Sequence, residues 1–283
     1  MDALVDSGDF GGIILTYNSN QAAAEEFCAT LQKSHPSLQV EAVGGDLTLQ
    51  ESRDKIFQCF DEQFATTDCD LCLMVHNAGQ YVGITSENVQ GLEATGHGKA
   101  FGDGSLIQED GSVDWGYLTF YRNLYAEAYI DLCERSLVRM KQAHSRSEKD
   151  ESDGGYRGSI IGISSPGCNH NYKLSPGYDM PGSGKCVMEF ANRYYALRVA
   201  PYKINVNVII PGVTRSDAWG MLAEKRGSDR EALLEQMKKN IPMQEVIDAK
   251  ELGSVISFLA SPTGGGRFMT GLSLRVDAGL HLK

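Results

Sequence analysis

A serine, a tyrosine and a lysine that follow one buried strand are the feature that most constrains this chain. The apolar run at residues 160–163 predicts the strand, and Ser165 stands where it ends. Tyr178 comes thirteen residues after Ser165, and Lys185 comes seven residues after Tyr178, where a helix is predicted to begin. A hydroxyl, a phenol and an ammonium group are therefore expected to converge at the end of a strand.

Three such groups suit proton transfer to or from a carbonyl oxygen. Ser165 would orient the oxygen, and Tyr178 would donate the proton because the Lys185 charge lowers the pKa of the phenol. The alternative interpretation makes Tyr178 an ordinary loop aromatic and Lys185 a solvated helix lysine. The order of the residues leaves both interpretations open.

The order strand, Ser, Tyr and Lys resembles the short-chain dehydrogenase/reductase family. Most of that family separates Tyr from Lys by three residues, but the fourth residue before Lys185 is Pro181. Tyr178 gives the spacing Tyr-x6-Lys, which resembles the enoyl-acyl-carrier-protein reductase branch. Proline prefers the first helical turn and disfavours helical backbone in the residue before it, here Met180. We therefore expect Tyr178 on the loop just before a helix that begins near Pro181.

Alternating strand and helix patterns predict a doubly wound, mostly parallel α/β sheet of the Rossmann type. The predicted strands are residues 12–16, 38–43, 71–75, 160–163 and 203–210, with a last strand within 268–279. The predicted helices are residues 21–32, 51–64, 115–140, 181–199 and 249–259. With 42% hydrophobic residues, a single Rossmann-like domain over residues 1–283 has an ample core, and no second domain is needed.

The N-terminus departs from the pattern of the family. Its members begin with a strand, a Gly-x3-Gly-x-Gly turn and a helix, which give the pyrophosphate of a dinucleotide its backbone N–H donors. Only twelve residues precede the strand at Ile13, too few for a strand and a crossover helix. We expect this unit to be truncated or missing, with residues 2–11 as the tail of its helix. The missing strand would lie in the middle of the sheet.

The resemblance implies contacts to a dinucleotide at the ends of several strands. No acidic residue follows the first strand, at Tyr17-Asn18-Ser19, so NADP is favoured, with NAD still possible. Asp46 matches the acidic residue at the adenine, and the alternative for Asn77 is a turn residue that ends its strand. The implied cofactor-binding residues are Tyr17, Asn18, Ser19, Asp46, Leu47, Asn77, Ala78, Gly79, Lys185, Pro211, Gly212, Val213 and Ser216.

Asn123 is the fourth catalytic residue that the resemblance implies, beside Ser165, Tyr178 and Lys185. In the family, the asparagine of the central helix holds a water molecule that relays protons to the lysine. The alternative is a structural asparagine whose side chain is satisfied by hydrogen bonds within the fold.

Two segments are candidates for substrate contact. An inserted loop is expected at about residues 82–113, and its Gly-rich part, 95–111, is predicted to be mobile or to be ordered by a substrate or partner. Residues 213–243 stand in the place of the family's substrate-binding loop. Arg215 in this segment would pair with a phosphate or face solvent.

The net charge and the cysteine content limit which class of protein this chain can belong to. A net charge of −11 argues against nucleic acid or an anionic membrane surface as a partner. The seven cysteines include one Cys-x2-Cys pair, at 69 and 72, but no second pair, which favours free thiols over a metal site. With no signal pattern, we expect a cytoplasmic protein, or an organellar one if targeting residues precede Met1. The C-terminal tail, similar to that of the family, implies a homo-dimer or homo-tetramer.

Two functions follow from these patterns. The first is an NAD(P)-dependent oxidoreductase that reduces a carbonyl or enoyl group of a small organic or acyl substrate. The alternative is a reductase-derived scaffold or assembly subunit without catalytic activity, which the absent glycine turn and Pro181 favour.

Overall fold

The computed structural model describes residues 2–67, 69–79, 110–113, 115–146, 155, 158–168, 179–216, 219–220, 223–224 and 227–283. Tyr178 and residues 82–109 of the predicted inserted loop lie outside these ranges, as do parts of the 213–243 segment. Within the described ranges, no helix combines the length and the apolar character needed to cross a membrane.

The described residues form a series of strands and helices close to the predicted one. The strands are β1 (Gly12–Tyr17), β2 (Gln39–Gly44), β3 (Leu73–His76), β4 (Gly158–Ile163), β5 (Ile204–Pro211) and β6 (Ser273–Val276). The helices are α1 (Asp2–Val5), α2 (Gln21–Ser34), α3 (Gln50–Cys59), α4 (Trp115–Arg122), α5 (Ala128–Arg146), α6 (Asp179–Val199), α7 (Arg230–Lys238) and α8 (Ala249–Ala260). Two π-helical turns, Phe60–Phe64 and Asn123–Glu127, extend α3 and join α4 to α5.

The described strands pair in parallel and fall into two sheets. β1 pairs with β2, and the second sheet has the order β3-β4-β5-β6. In the Rossmann order, one central strand separates the strands that correspond to β1 and β3. Both β1 and β3 have one edge without a strand partner in the described residues. The central strand of that order is not among the described residues, as the sequence predicts, and α1 provides the predicted helical tail.

Helices cover both faces of the sheets, as a doubly wound fold requires. Successive residues of β4 point to opposite faces: Ile160 joins the core shared with α5 and α6, and Ile161 joins the core with α8. Leu31 of α2 and Val40 of β2 belong to a smaller core, which also contains Val5 of α1. Because α1 packs against α8 as well, it links that small core to the four-stranded sheet.

Side chains of α3 and α5 join the two sheets on the opposite face. Phe57 of α3 lies under two guanidinium groups of α5, those of Arg135 and Arg139, at 4.4 and 4.6 Å from the ring centre. Arg53 donates from Nη1 to the Leu47 carbonyl oxygen at 2.7 Å. The ion pairs between the two segments are Arg53–Asp131, Arg135–Asp54 and Arg139–Asp61. Cation–π contacts and ion pairs therefore connect units that share no strand pairing.

Two predicted helices differ in detail from the observed ones. The helix predicted at 115–140 extends to Arg146 and is interrupted by the π-helical turn at Asn123–Glu127. Helix α6 begins at Asp179, so the expectation that Met180 leaves helical backbone is wrong. Pro181 stands in the first helical turn, where the N–H that proline lacks has no partner within the helix.

Candidate active site

Close packing of two helices determines where Lys185 lies. Gly184 precedes it on α6, and a Cβ at position 184 would lie 2.5 Å from the Tyr121 carbonyl oxygen of α4. Only glycine allows the two backbones to approach this closely. The contact packs the first turns of α6 against α4, and Lys185, the next residue, is 8% exposed.

The Lys185 amine meets groups from two other elements. Nζ donates to Ser165 Oγ at 2.8 Å and to the Ile163 carbonyl oxygen at 3.3 Å. It also lies 4.7 Å from the centre of the Tyr125 ring. Burial lowers the pKa of Lys185 from 10.5 to about 8, while the nearby Cys168 and Glu189 oppose the shift. The amine is therefore a cation that can lose its proton close to neutral pH.

The two serines after β4 have different partners. Ser165 accepts the hydrogen bond from Lys185, which leaves its own hydroxyl proton free to donate to a ligand. Ser164 is 1% exposed and donates instead to Glu189 Oε1 at 2.6 Å. Ser273 of β6 donates to Glu189 Oε2 at 3.0 Å. Ser165 is thus the serine that the structure brings to Lys185, in agreement with the predicted convergence.

Asn123 stands at the start of the π-helical turn between α4 and α5. Its Oδ1 atom is buried and has no hydrogen-bond partner in the part of the chain that the structure describes. A buried acceptor of this kind suits an ordered water or a ligand, because leaving it unpaired costs free energy. π-helical turns are also frequent at functional sites.

His76 holds this turn from the end of β3. Its Nε2 lies 3.1 Å from the Leu124 carbonyl oxygen, so Nε2 carries the hydrogen and donates. Burial, together with the charge of Lys185, lowers the pKa of His76 from 6.5 to about 4. The imidazole is therefore neutral near pH 7.

The structure brings two of the four predicted catalytic residues together at the carboxyl end of β4. Lys185 and Ser165 are in direct contact, and Lys185 lies over Tyr125, two residues after Asn123. Tyr178, the predicted proton donor, lies outside the described residues.

The predicted adenine-side residues follow β1, β2 and β3. Asn18, Ser19 and Asn77 are exposed, whereas Leu47 is buried in the main core and has only backbone groups to offer. Asp46 Oδ1 accepts from the Thr48 N–H at 2.8 Å, which leaves the second carboxylate oxygen to a ligand. The other predicted residues here, with their placement, are Tyr17, half-buried beside Gly44; Ala78, packed against the main core; and Gly79, close to Tyr125.

The predicted nicotinamide-side residues follow β5. A Cβ at Gly212 would lie 2.7 Å from the Asp277 Cα, so only glycine fits after Pro211 at this crossing of the C-terminal tail. The Val213 carbonyl accepts from the Ile247 N–H at 2.9 Å, and Ser216 is exposed.

Arg215 differs from both expectations. It pairs with Glu231 of α7 and, at 3.3 Å, with Asp248 at the start of α8. The Arg215 guanidinium group is therefore paired with two carboxylates, which matches neither a phosphate contact nor a side chain that faces only solvent.

These residues fit one end of a dinucleotide better than the other. Lys185 and the buried Asn123 oxygen provide a cation and an acceptor at the end where the nicotinamide is expected. In the family, a glycine-rich turn at a helix N-terminus binds the pyrophosphate. The described residues contain no Gly-x3-Gly-x-Gly turn of this kind.

Three further residues lie at the site without having been predicted from the sequence: Glu189, His76 and Tyr125. Glu189 follows Lys185 by four residues, a spacing that places both on one helix face and that could have identified it. His76 directly precedes the Asn-Ala-Gly motif, but nothing in its neighbours shows that its ring points inward.

Known proteins similar to this chain include several reductases. A family model described as Enoyl-(Acyl carrier protein) reductase matches residues 122–281. NADPH-dependent reductase BacG of Bacillus subtilis (strain 168) is 24% identical over 253 residues, which are 87% of this chain and 79% of that protein. A 1-cyclohexenylcarbonyl-CoA reductase of Streptomyces collinus is 32% identical over 125 residues, 44% of this chain. The match spans only 42% of that enzyme's length.

A solved structure gives the same architecture. The structure of YwfH, described as an NADPH dependent reductase involved in bacilysin biosynthesis, aligns with a TM-score of 0.72. The alignment covers 98% of this chain and 91% of the other, at 22% sequence identity. At this identity the likeness shows the fold, a Rossmann-like α/β sheet.

Proposed function

Because the chain belongs to the short-chain dehydrogenase/reductase family, we propose that it is an NADP(H)-dependent reductase of a carbonyl or enoyl group in a small organic or acyl substrate. The observation that carries the proposal is the contact of the buried Lys185 amine with Ser165 Oγ at 2.8 Å. Similarity to enzymes named as enoyl and acyl-CoA reductases supports the reaction class.

The chain's own residues divide the proton chemistry. Ser165 donates a hydrogen bond to the substrate oxygen with the hydroxyl proton that Lys185 leaves free. Tyr178 donates the proton from Oη to that oxygen, and the Lys185 ammonium favours this step by stabilising the phenolate left behind. Asn123 Oδ1 accepts from a water that resupplies the proton. NADPH, when bound, supplies the hydride.

We assign NADP rather than NAD because no carboxylate follows β1. Tyr17, Asn18 and Ser19 stand where an acidic residue would hold the 2′-hydroxyl of NAD, and a 2′-phosphate meets no negative charge there. Lys185 would hold the ribose at the nicotinamide, and the turn at Pro211 and Gly212 would lie beside the ring.

Turnover tests the proposal directly. NADPH oxidation is followed with an enoyl thioester, a β-ketoacyl thioester and a small ketone as substrates. Tyr178→Phe and Lys185→Met should each lower turnover by about two to four orders of magnitude. The control is Lys141→Met, which removes a lysine at a similar distance, 4.5 Å, from a tyrosine ring elsewhere in the fold.

Two outcomes would refute parts of this proposal. Unchanged turnover in Tyr178→Phe would remove the site assignment. No turnover and no NADPH binding by the unchanged chain would favour the scaffold alternative.

We further propose that the protein forms a homo-dimer or homo-tetramer through α6. Val187, Phe190, Tyr194 and Leu197 follow one another at helical spacing and are 41–81% exposed. Leu197→Glu should shift the sedimentation coefficient to that of a smaller species, whereas Leu49→Glu, at an exposed apolar residue before α3, should not. Equal sedimentation of both variants and the unchanged protein would remove this interface.

We assign the protein to the cytoplasm. All seven cysteines lie in the described ranges and are free thiols, as a reducing compartment keeps them.

A further inference from the structure

Glu189 is a buried carboxylate that connects three elements next to the candidate site. It is 8% exposed on α6, and each of its oxygens accepts one hydroxyl hydrogen. Ser164 at the end of β4 donates to Oε1 at 2.6 Å, and Ser273 of β6 donates to Oε2 at 3.0 Å. These two bonds fix the carboxylate between the ends of two strands that pair with β5.

A carboxylate in such a place is costly, because burial removes the water that would solvate its charge. Hydroxyl donors offset part of this cost, and a nearby cation offsets more. Lys185 lies one helical turn before Glu189 on the same face of α6. The negative charge of Glu189 raises the pKa of Lys185, whereas burial lowers it.

The other titratable groups around Lys185 come from three elements in the described residues. They are His76 at the end of β3, Tyr125 in the π-helical turn and Cys168 after β4. Burial keeps His76 neutral near pH 7 by lowering its pKa, and burial raises the pKa of Cys168 to about 12. Glu189 is the carboxylic acid side chain among these groups, and it raises the pKa of Lys185 together with the Cys168 thiol.

We propose that Glu189 is a positioning residue, which holds Ser164 away from the site and keeps the buried Lys185 amine protonated and directed at Ser165. The inference depends on the proposed function only for the role of Lys185. Because the Ser164 hydroxyl donates to Glu189, the Ser165 hydroxyl is the one that remains to act beside the Lys185 amine.

The titration of Lys185 tests this without cofactor or substrate. The ¹³Cε resonance of Lys185, identified by its absence in Lys185→Met, is followed against pH in labelled protein. In the unchanged protein we expect a midpoint near pH 8. Glu189→Gln and Glu189→Met should each lower the midpoint by about one pH unit. Glu189→Asp, which keeps the charge, should hold it near its original value.

The matched control is Glu134→Gln. This residue also receives hydrogen bonds from α6, from Tyr195 and Arg198, but it is not among the charges that act on Lys185. An unchanged midpoint in both Glu189→Gln and Glu189→Met, or an equal drop in Glu134→Gln, would overturn the proposal. Glu189→Met provides the measurement if the amide variant does not fold, because an apolar side chain of similar length is tolerated in place of a buried charge.

A kinetic readout separates this inference from the proposed function. If the protein is a reductase, the alkaline fall of kcat should move to lower pH in Glu189→Gln by the same shift as the midpoint. If no reductase activity exists, the NMR midpoints still support or overturn the role of Glu189.

Discussion

Ser164 and Ser165 are neighbours after β4, but their side chains have different hydrogen-bond partners. The Ser165 hydroxyl lies at the Lys185 amine, and the Ser164 hydroxyl is enclosed with Glu189. Alternation along an extended chain explains the division, because successive side chains point in opposite directions.

This division predicts opposite effects of two alanine variants. Ser165→Ala should lower kcat by about two orders of magnitude and leave stability nearly unchanged, because it removes a donor to the reacting oxygen. Ser164→Ala should cost about 1–3 kcal/mol of unfolding free energy, because Glu189 loses a donor in a buried place. Urea unfolding and steady-state kinetics on both variants check this, and the reverse pattern would contradict it.

The buried His76 predicts a pH dependence of stability. Its pKa is about 4 in the folded protein against 6.5 in the unfolded chain, so the unfolded chain binds an extra proton between these values. Stability should therefore fall as pH falls from 6.5 to 4, by about 3 kcal/mol from this group. In His76→Gln that part of the slope should disappear. An unchanged slope in urea unfolding across this range would show that His76 titrates normally.

At the scale of elements, α3 and α5 provide much of the contact between the two sheets. Phe57 is 3% exposed beneath Arg135 and Arg139, and Arg53 reaches both Leu47 and Asp131. Arginine suits this junction because its planar group can stack on a ring and form ion pairs at the same time.

Variants of this junction should destabilise the protein strongly. Phe57→Ala should cost about 3–5 kcal/mol, since it opens a cavity and removes the surface on which two guanidinium groups lie. Arg122→Ala, which breaks an exposed ion pair with Glu127, should cost less than about 1 kcal/mol. Urea midpoints of both variants check the difference, and similar midpoints would show that the junction contributes little.

The sequence predicts the elements better than their side-chain partners. The apolar run 160–163 predicts a buried parallel strand, because both faces of such a strand are covered. The approach of Lys185 to Ser165 also follows, because a strand end and the next helix start lie at one edge of the sheet. The π-helical turn at Asn123 leaves no periodic signal. The partners of Glu189 and Arg215 depend on tertiary packing between residues far apart in the chain.

At the scale of the whole molecule, the break in the sheet predicts weak cofactor binding. The described residues include those proposed to contact adenine, ribose and nicotinamide, but they contain no Gly-x3-Gly-x-Gly turn for the pyrophosphate. Losing two or three hydrogen bonds to charged groups, at roughly 1.5–3 kcal/mol each, weakens binding by about three orders of magnitude. A form with a strand, a Gly-x3-Gly-x-Gly turn and a helix joined before Asp2 should bind NADPH correspondingly more tightly. Fluorescence titration decides this, and tight binding by the 283-residue chain would contradict it.

Two sheets that share no backbone hydrogen bonds within the described residues can open one at a time. Opening the β1–β2 unit exposes the small core around Leu31 and Val40 and the junction between α3 and α5, whereas opening β5 disrupts the two cores around it. Amides of β1 and β2 should therefore exchange with deuterium at a lower opening free energy than those of residues 204–210. A dinucleotide held by β1–β2 at its adenosine end and by Lys185 at its nicotinamide end would bridge both units. Bound cofactor would then connect the two units through its own covalent bonds. The amides of β1–β2 and those of residues 204–210 should then exchange at the same opening free energy, as one cooperative unit.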